Sequence, residues 1–216
     1  MNLKDIPALK NAILDLPAKE KDKLLLRLIA KDSTLVEHLH FTLLEDENDL
    51  INRVKLIYEK IDNQFKKSHH LINQINVVRS HRQLLLCLKS MSGIVNFHVQ
   101  ITKDKASEFE LRKYILQESF RQFPYLFNEY MTGDNAEKLY KYQAGRLKVL
   151  RTLFSKFHED LQFDYLEELQ SIDDFLENTP LNKDKILVNN SLMPSSTYIS
   201  KSKIIFKHVI KPIKTQ

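Results

Sequence analysis

DENDLINRVKLIYEKIDNQFK, residues 46–66, places Leu50, Val54, Ile57, Ile61 and Phe65 at intervals of four, three, four and four. A helix turns once every 3.6 residues, so these side chains share one stripe while the charged residues between them face away. A strand would instead need strict alternation, which is absent. This stretch predicts an amphipathic helix of about six turns, and the chain on either side repeats its pattern.

Upstream, a short helix is expected from near Asp5, with Pro7 in its first turn and Leu9, Ala12 and Ile13 inward. Pro17 suits the start of a second, carrying Leu24, Leu25, Leu28 and Ile29. Ser33 is a candidate cap for a third, with Leu35, Val36, Leu39 and Leu43 on one face. Downstream, a fifth helix is expected over 69–90, through Ile72, Ile75, Val78, Leu85 and Leu88. A break at Ser92-Gly93 separates it from a sixth over 94–102. Ser107 with Glu110 forms a capping-box pattern opening a seventh, with Phe109, Tyr114, Ile115 and Phe120 as its stripe. Pro124 and the run from Thr132 to Asn135 read as loop. Helices over 135–159, with Gly145 as an internal packing contact, and over 163–177 complete the series. Only three glycines occur in 216 residues, too few for the turns of a sandwich or barrel. The expected class is all-α: about nine helices in a bundle or an irregular array of antiparallel hairpins.

The first 45 residues, and LPAKEKDKLLLRLIAKDSTLVEHL at 16–39 above all, resemble a group of uncharacterised all-helical bacterial proteins. These open with a short polar helix, a Leu-rich helix and a Lys-Asp-x-x-x-Val/Leu break. The resemblance covers about a fifth of the chain. It implies an all-α fold and a bacterial source, and carries neither an activity nor site residues.

Charge is sorted along the chain. Residues 1–178 hold 26 Lys and Arg against 27 Asp and Glu, whereas 179–216 hold seven Lys against one Asp. The division expected is a helical domain over 1–178, a linker over 179–202 and a basic amphipathic segment over 203–216. Pro180, Asn189-Asn190, Pro194 and Ser195-Ser196-Thr197 give the linker its composition. In KIIFKHVIKPIK (203–214), a helical wheel gathers Lys203, Lys207, Lys211 and Lys214 within an arc of about 80°. Ile205, Phe206, Val209, Ile210 and Ile213 take most of the opposite side. Lys203, Ile205, Phe206, Lys207, Val209, Ile210 and Lys211 are therefore the candidate partner-binding residues. The β-branched residues and Pro212 leave a strand open as the alternative. Three turns without Trp argue against membrane anchoring by this segment.

Two blocks lie inside the body. Residues 63–103 contain no acid but hold Lys66, Lys67, Arg79, Arg82, Lys89, Lys103 and four His. Residues 157–182 hold eight acids and no Lys or Arg. The blocks could pair within the molecule, pair between molecules, or bind phosphate backbones through Lys66, Lys67, Arg79 and Arg82 together with the tail. Few aromatics interleave with the cations, which weakens the case for stacking on single strands.

Catalytic signatures are missing. Glu37-x-x-His40 has the spacing of a bundle metal ligand pair, but no second copy exists. His69, His70 and His81 contain no pair at i, i+4. Cys87 sits among leucines, where a thiol is a small hydrophobe with a raised pKa rather than a nucleophile. The adjacent carboxylates Glu167-Glu168 and Asp173-Asp174 diverge around a helix and read as a solvated face. No Gly-rich phosphate loop and no stretch of 18 uninterrupted apolar residues occurs. No cofactor is expected, and the N-terminus lacks the pattern of a secretory signal, so a cytoplasmic location is the default. The functional expectation is a non-catalytic protein–protein interaction or scaffold protein. Nucleic-acid binding through 63–103 and the Lys-rich tail is the alternative.

Overall fold

The computed structural model describes residues 3–128 and 132–179. The linker and tail expectations, including Lys203 to Lys211, fall outside the described residues. Within them the protein is an all-α multi-helix array: a 3-10 turn at Leu3–Asp5, then α1 (Pro7–Leu14), α2 (Ala18–Ile29), α3 (Ser33–Leu44), α4 (Glu47–Ile72), α5 (Val77–Thr102), α6 (Lys105–Gln122), α7 (Pro124–Phe127), α8 (Asp134–Phe154) and α9 (Glu159–Glu177).

The stripe of residues 46–66 becomes α4 and runs two turns further, to Ile72. Asp46 caps it with a reciprocal box, accepting from the Asp49 amide at 3.1 Å while the Asp49 carboxylate accepts from the Asp46 amide at 3.1 Å. Ile57, Ile61, Phe65 and Ile72 are buried, so the core starts at the third turn. The chain turns at Asn73–Asn76, not at residue 67, and the Asn76 side chain caps α5 by accepting from the Arg79 amide.

The expected break at Ser92-Gly93 does not occur. α5 runs unbroken for 26 residues. A helical glycine costs about 1 kcal/mol relative to alanine. Here Leu84, Leu88, Met91 and Val95 are fully buried along one stripe, and that burial outweighs the cost. By length and composition Arg79–Thr102 could cross a membrane. Its place in the array is that of a central core helix, packed against α3, α4, α6 and α8. Its buried polar groups are satisfied inside the protein: His81 Nε2 lies 3.1 Å from the Leu126 carbonyl, and Ser80 Oγ donates to the Asn76 carbonyl at 3.0 Å.

Two caps differ from expectation by one residue and by three. Asp32, not Ser33, caps α3. Asp104, not Ser107, caps α6, accepting from the Ser107 amide at 2.8 Å. Both are carboxylates, whose charge-assisted bonds to backbone amides are stronger than those of a serine hydroxyl. Freed from capping, Ser107 is buried and bonds His98 Nε2 at 2.9 Å. The segment after Pro124, read as loop, opens with a one-turn helix whose Leu126 and Phe127 are fully buried. Phe120 of α6 stacks on Phe175 of α9 at 4.3 Å and meets Phe127 edge-on at 4.9 Å, so three elements close over one aromatic cluster. Gly145 is no packing contact: a Cβ built there meets nothing within 4 Å.

Candidate functional site

The leading feature is the exposure of apolar side chains on α1, α2 and α3. No described residue from Leu3 to Leu44 is buried. Leu9 and Leu14 of α1, Leu25, Leu26 and Leu28 of α2, and Leu35, Val36, Leu43 and Leu44 of α3 are all exposed, Leu26 by 66% and Leu44 by 74%. Leu9 and Ala12, expected inward, face solvent, and Ile13 is only half-buried. α1 packs chiefly on the turn before it and α2 on α3, while α3 lies along α5. The arm is therefore attached to the core through α3, where His38 bonds the Ile101 carbonyl. The signal was present in the sequence: LLLRLI in α2 crowds apolar residues around more of the helix than one core-facing stripe requires.

At the hinge between α3 and α4, Glu45 gathers two partners. Its carboxylate accepts from both Arg53 Nε, at 2.5 Å, and Arg53 Nη2, and lies 2.8 Å from His40 Nδ1. The Arg53 guanidinium holds its pKa down at about 2, against a burial effect in the opposite direction and with help from His40. His40 thus contacts Glu45, the residue that follows its own helix. Among the described residues no group of three or more His, Cys, Asp or Glu could hold a metal ion.

Cys87 is buried, its Sγ is 3.7 Å from the Gln64 carbonyl, and burial pushes its thiol pKa up. That is the environment of a packed hydrophobe, poor in thiolate.

Among the described residues the acidic block pairs within the molecule, with cations outside the basic block. Glu168 of α9 reaches Lys113 of α6 at 2.6 Å, and Asp173 of α9 pairs with Arg151 of α8. Both cations lie outside residues 63–103. Asp173 is 4% exposed, which corrects its reading as a solvated carboxylate. Burial raises its pKa, and Arg151 opposes that rise. Asp174 and Glu167 do face solvent.

Lys66, Lys67, Arg79 and Arg82 are exposed, and none of them belongs to an ion pair among the described residues. The four-residue turn at Asn73–Asn76 brings them to one end of the α4–α5 hairpin. At 1.5 Å per residue they lie within about 10 Å of that end along the helix axes. Sequence reading grouped these four by the absence of acids; folding gathers them in space.

No protein-family model, curated protein or solved structure matches this chain.

Proposed function

We propose that this protein is a non-catalytic protein–protein interaction module that engages its partner through the α1–α3 arm. The exposed leucines of that arm carry the reading. Monomeric proteins seldom leave large apolar surfaces open, and a larger exposed patch rimmed by charge marks an interaction site. Lys19, Glu20, Lys21, Asp22, Lys23 and Arg27 supply such a rim on α2. An amphipathic helix of this kind binds by laying leucines at i, i+3 and i+4 into a groove; Leu25, Leu28 and Ile29 have that spacing. Each leucine fully removed from water contributes about 2 kcal/mol before the entropy cost of association.

The test compares wild type with Leu25→Glu/Leu28→Glu in quantitative affinity capture from the native host and in sedimentation. Both positions are exposed, so the variant keeps its fold. The expected result is a specific partner, or a second copy, retained by wild type and lost by the variant. Equal recovery by both proteins contradicts the reading.

A second reading has its own support. The four cations at the α4–α5 end, unpaired among the described residues, favour binding to a nucleic-acid backbone. Anisotropy with short duplexes over a salt series distinguishes it. Each phosphate contact adds about 0.9 to the slope of log affinity against log salt. Replacing Lys66, Lys67, Arg79 and Arg82 by Gln would flatten that slope, and no binding at low salt rejects this second reading.

A further inference from the structure

α5 and α8 together line an open, shallow depression of about 340 Å³, with Leu85 and Lys89 from α5 and Lys138, Lys141 and Tyr142 from α8. We propose that this depression binds a small phosphate-bearing ligand, with Lys89, Lys138 and Lys141 contacting the phosphate and Leu85 and Tyr142 holding the organic part.

Three observations support the assignment. First, the floor is fixed. The Tyr142 hydroxyl donates to the Leu88 carbonyl at 3.3 Å and shares a hydrogen bond with Ser92 Oγ at 2.7 Å. The Arg146 guanidinium stacks on its ring at 5.1 Å, with a solvent-shielded Nε that has no hydrogen-bond partner. The tyrosine thus presents one defined face, as a binding site on rigid helices requires.

Second, the lining is mostly cationic, and only one of its three lysines is ion-paired among the described residues. Lys141 reaches Glu137 at 3.0 Å. Lys89 and Lys138 belong to no ion pair among the described residues. α5 itself carries no acid anywhere along its length. Three ammoniums and one carboxylate leave the depression with an excess of positive charge. Like charges held together repel, and a phosphate relieves the repulsion while accepting from several donors at once.

Third, the depression is small and open to solvent, which suits a compact phosphate with a small flat or apolar substituent. The residues come from segments about 50 positions apart in the chain, which is why the acid-free block alone could not reveal the site.

The experiment is isothermal titration of the full-length protein at low salt, with inorganic phosphate and with adenosine 5′-monophosphate as separate probes. It compares wild type, Lys89→Gln/Lys138→Gln, and a control, Lys55→Gln/Lys60→Gln, that removes equal charge from exposed positions of α4. The expected result is saturable one-to-one binding that weakens at least tenfold in the Lys89→Gln/Lys138→Gln variant and is unchanged in the control. Tighter binding of the monophosphate identifies a phosphate ester as the ligand, and equal binding identifies the free ion. Absence of saturable binding, or an equal loss in the control, overturns the proposal.

Discussion

Arg151 of α8 and Asp173 of α9 are ion-paired across the seam between their helices, with Arg151 Nε donating to Asp173 Oδ2 at 3.3 Å and Arg151 Nη2 to Oδ1. The carboxylate is buried while the guanidinium keeps partial contact with water. Removing one member of such a pair leaves the other uncompensated, whereas replacing both with apolar residues need not destabilise. Arg151→Met is expected to cost about 3 kcal/mol, and Arg151→Met/Asp173→Leu less than half of that. Urea unfolding of the wild type, the single and the double variant measures both. A double variant as unstable as the single one would contradict this account of the seam.

Glu45 gives the protein a defined acid limb. Its pKa is about 2 when folded and 4.5 as an ordinary carboxyl. A depressed folded pKa means that the unfolded chain binds the proton first as pH falls. The stability contributed by the Arg53 pair is fully present above pH 4.5 and is lost between there and about pH 2. Glu45→Gln is expected to be less stable near neutrality and to show a shallower loss across this window. Thermal unfolding at pH steps from 6 to 2 reads the difference, and parallel curves would show that Glu45 does not set the limb.

His98 acts in a higher window. Burial lowers its pKa below the ordinary 6.5, with Asp104 opposing the shift. Above pH 6.5 the imidazole is neutral in both states. As pH falls through 6.5 the unfolded chain takes up the proton and the folded one resists, so stability declines. His98→Gln, which can still bond Ser107, is expected to abolish this decline between pH 7 and 5 while leaving the Glu45 window intact. A decline of the same steepness in the variant would assign it to another group.

Gly93 tests the continuity of α5. A Cβ added there meets nothing within 4 Å, and its φ is not positive. Gly93→Ala is therefore expected to stabilise by about 0.5–1 kcal/mol, because alanine loses less backbone freedom in a helix. Gly145→Ala in α8 should do the same. Destabilisation by Gly93→Ala would restore the break that the Ser92-Gly93 pair suggested.

These outcomes track what the sequence could and could not reveal. The stripe Ile57, Ile61 and Phe65 was legible because its partners lie on the same periodic face and all three are buried. Ser92-Gly93 misled because a local propensity of about 1 kcal/mol is small beside the burial of Met91 and Val95 on either side. Ser33 and Ser107 each have cap chemistry, but the aspartate ahead of each offers a charged acceptor and takes the cap. Asp173 was read as solvated because its partner Arg151 lies 22 residues away and on another helix. The arm was hardest. Periodicity shows that Leu25 and Leu28 share a face, but not whether this chain or another molecule covers it. The same limit hid the α5–α8 depression, whose lysines are distant in sequence.

The most direct test of the interaction reading is site-specific photo-crosslinking in the native host, with the probe at position 26 on α2 and, as control, at the exposed position 170 on α9. The account predicts a discrete protein adduct from position 26 that disappears when Leu25 and Leu28 are changed to Glu, and none of that mass from position 170. No adduct from position 26, or one that persists in the double variant, would contradict the assignment of the α1–α3 arm as the interaction surface.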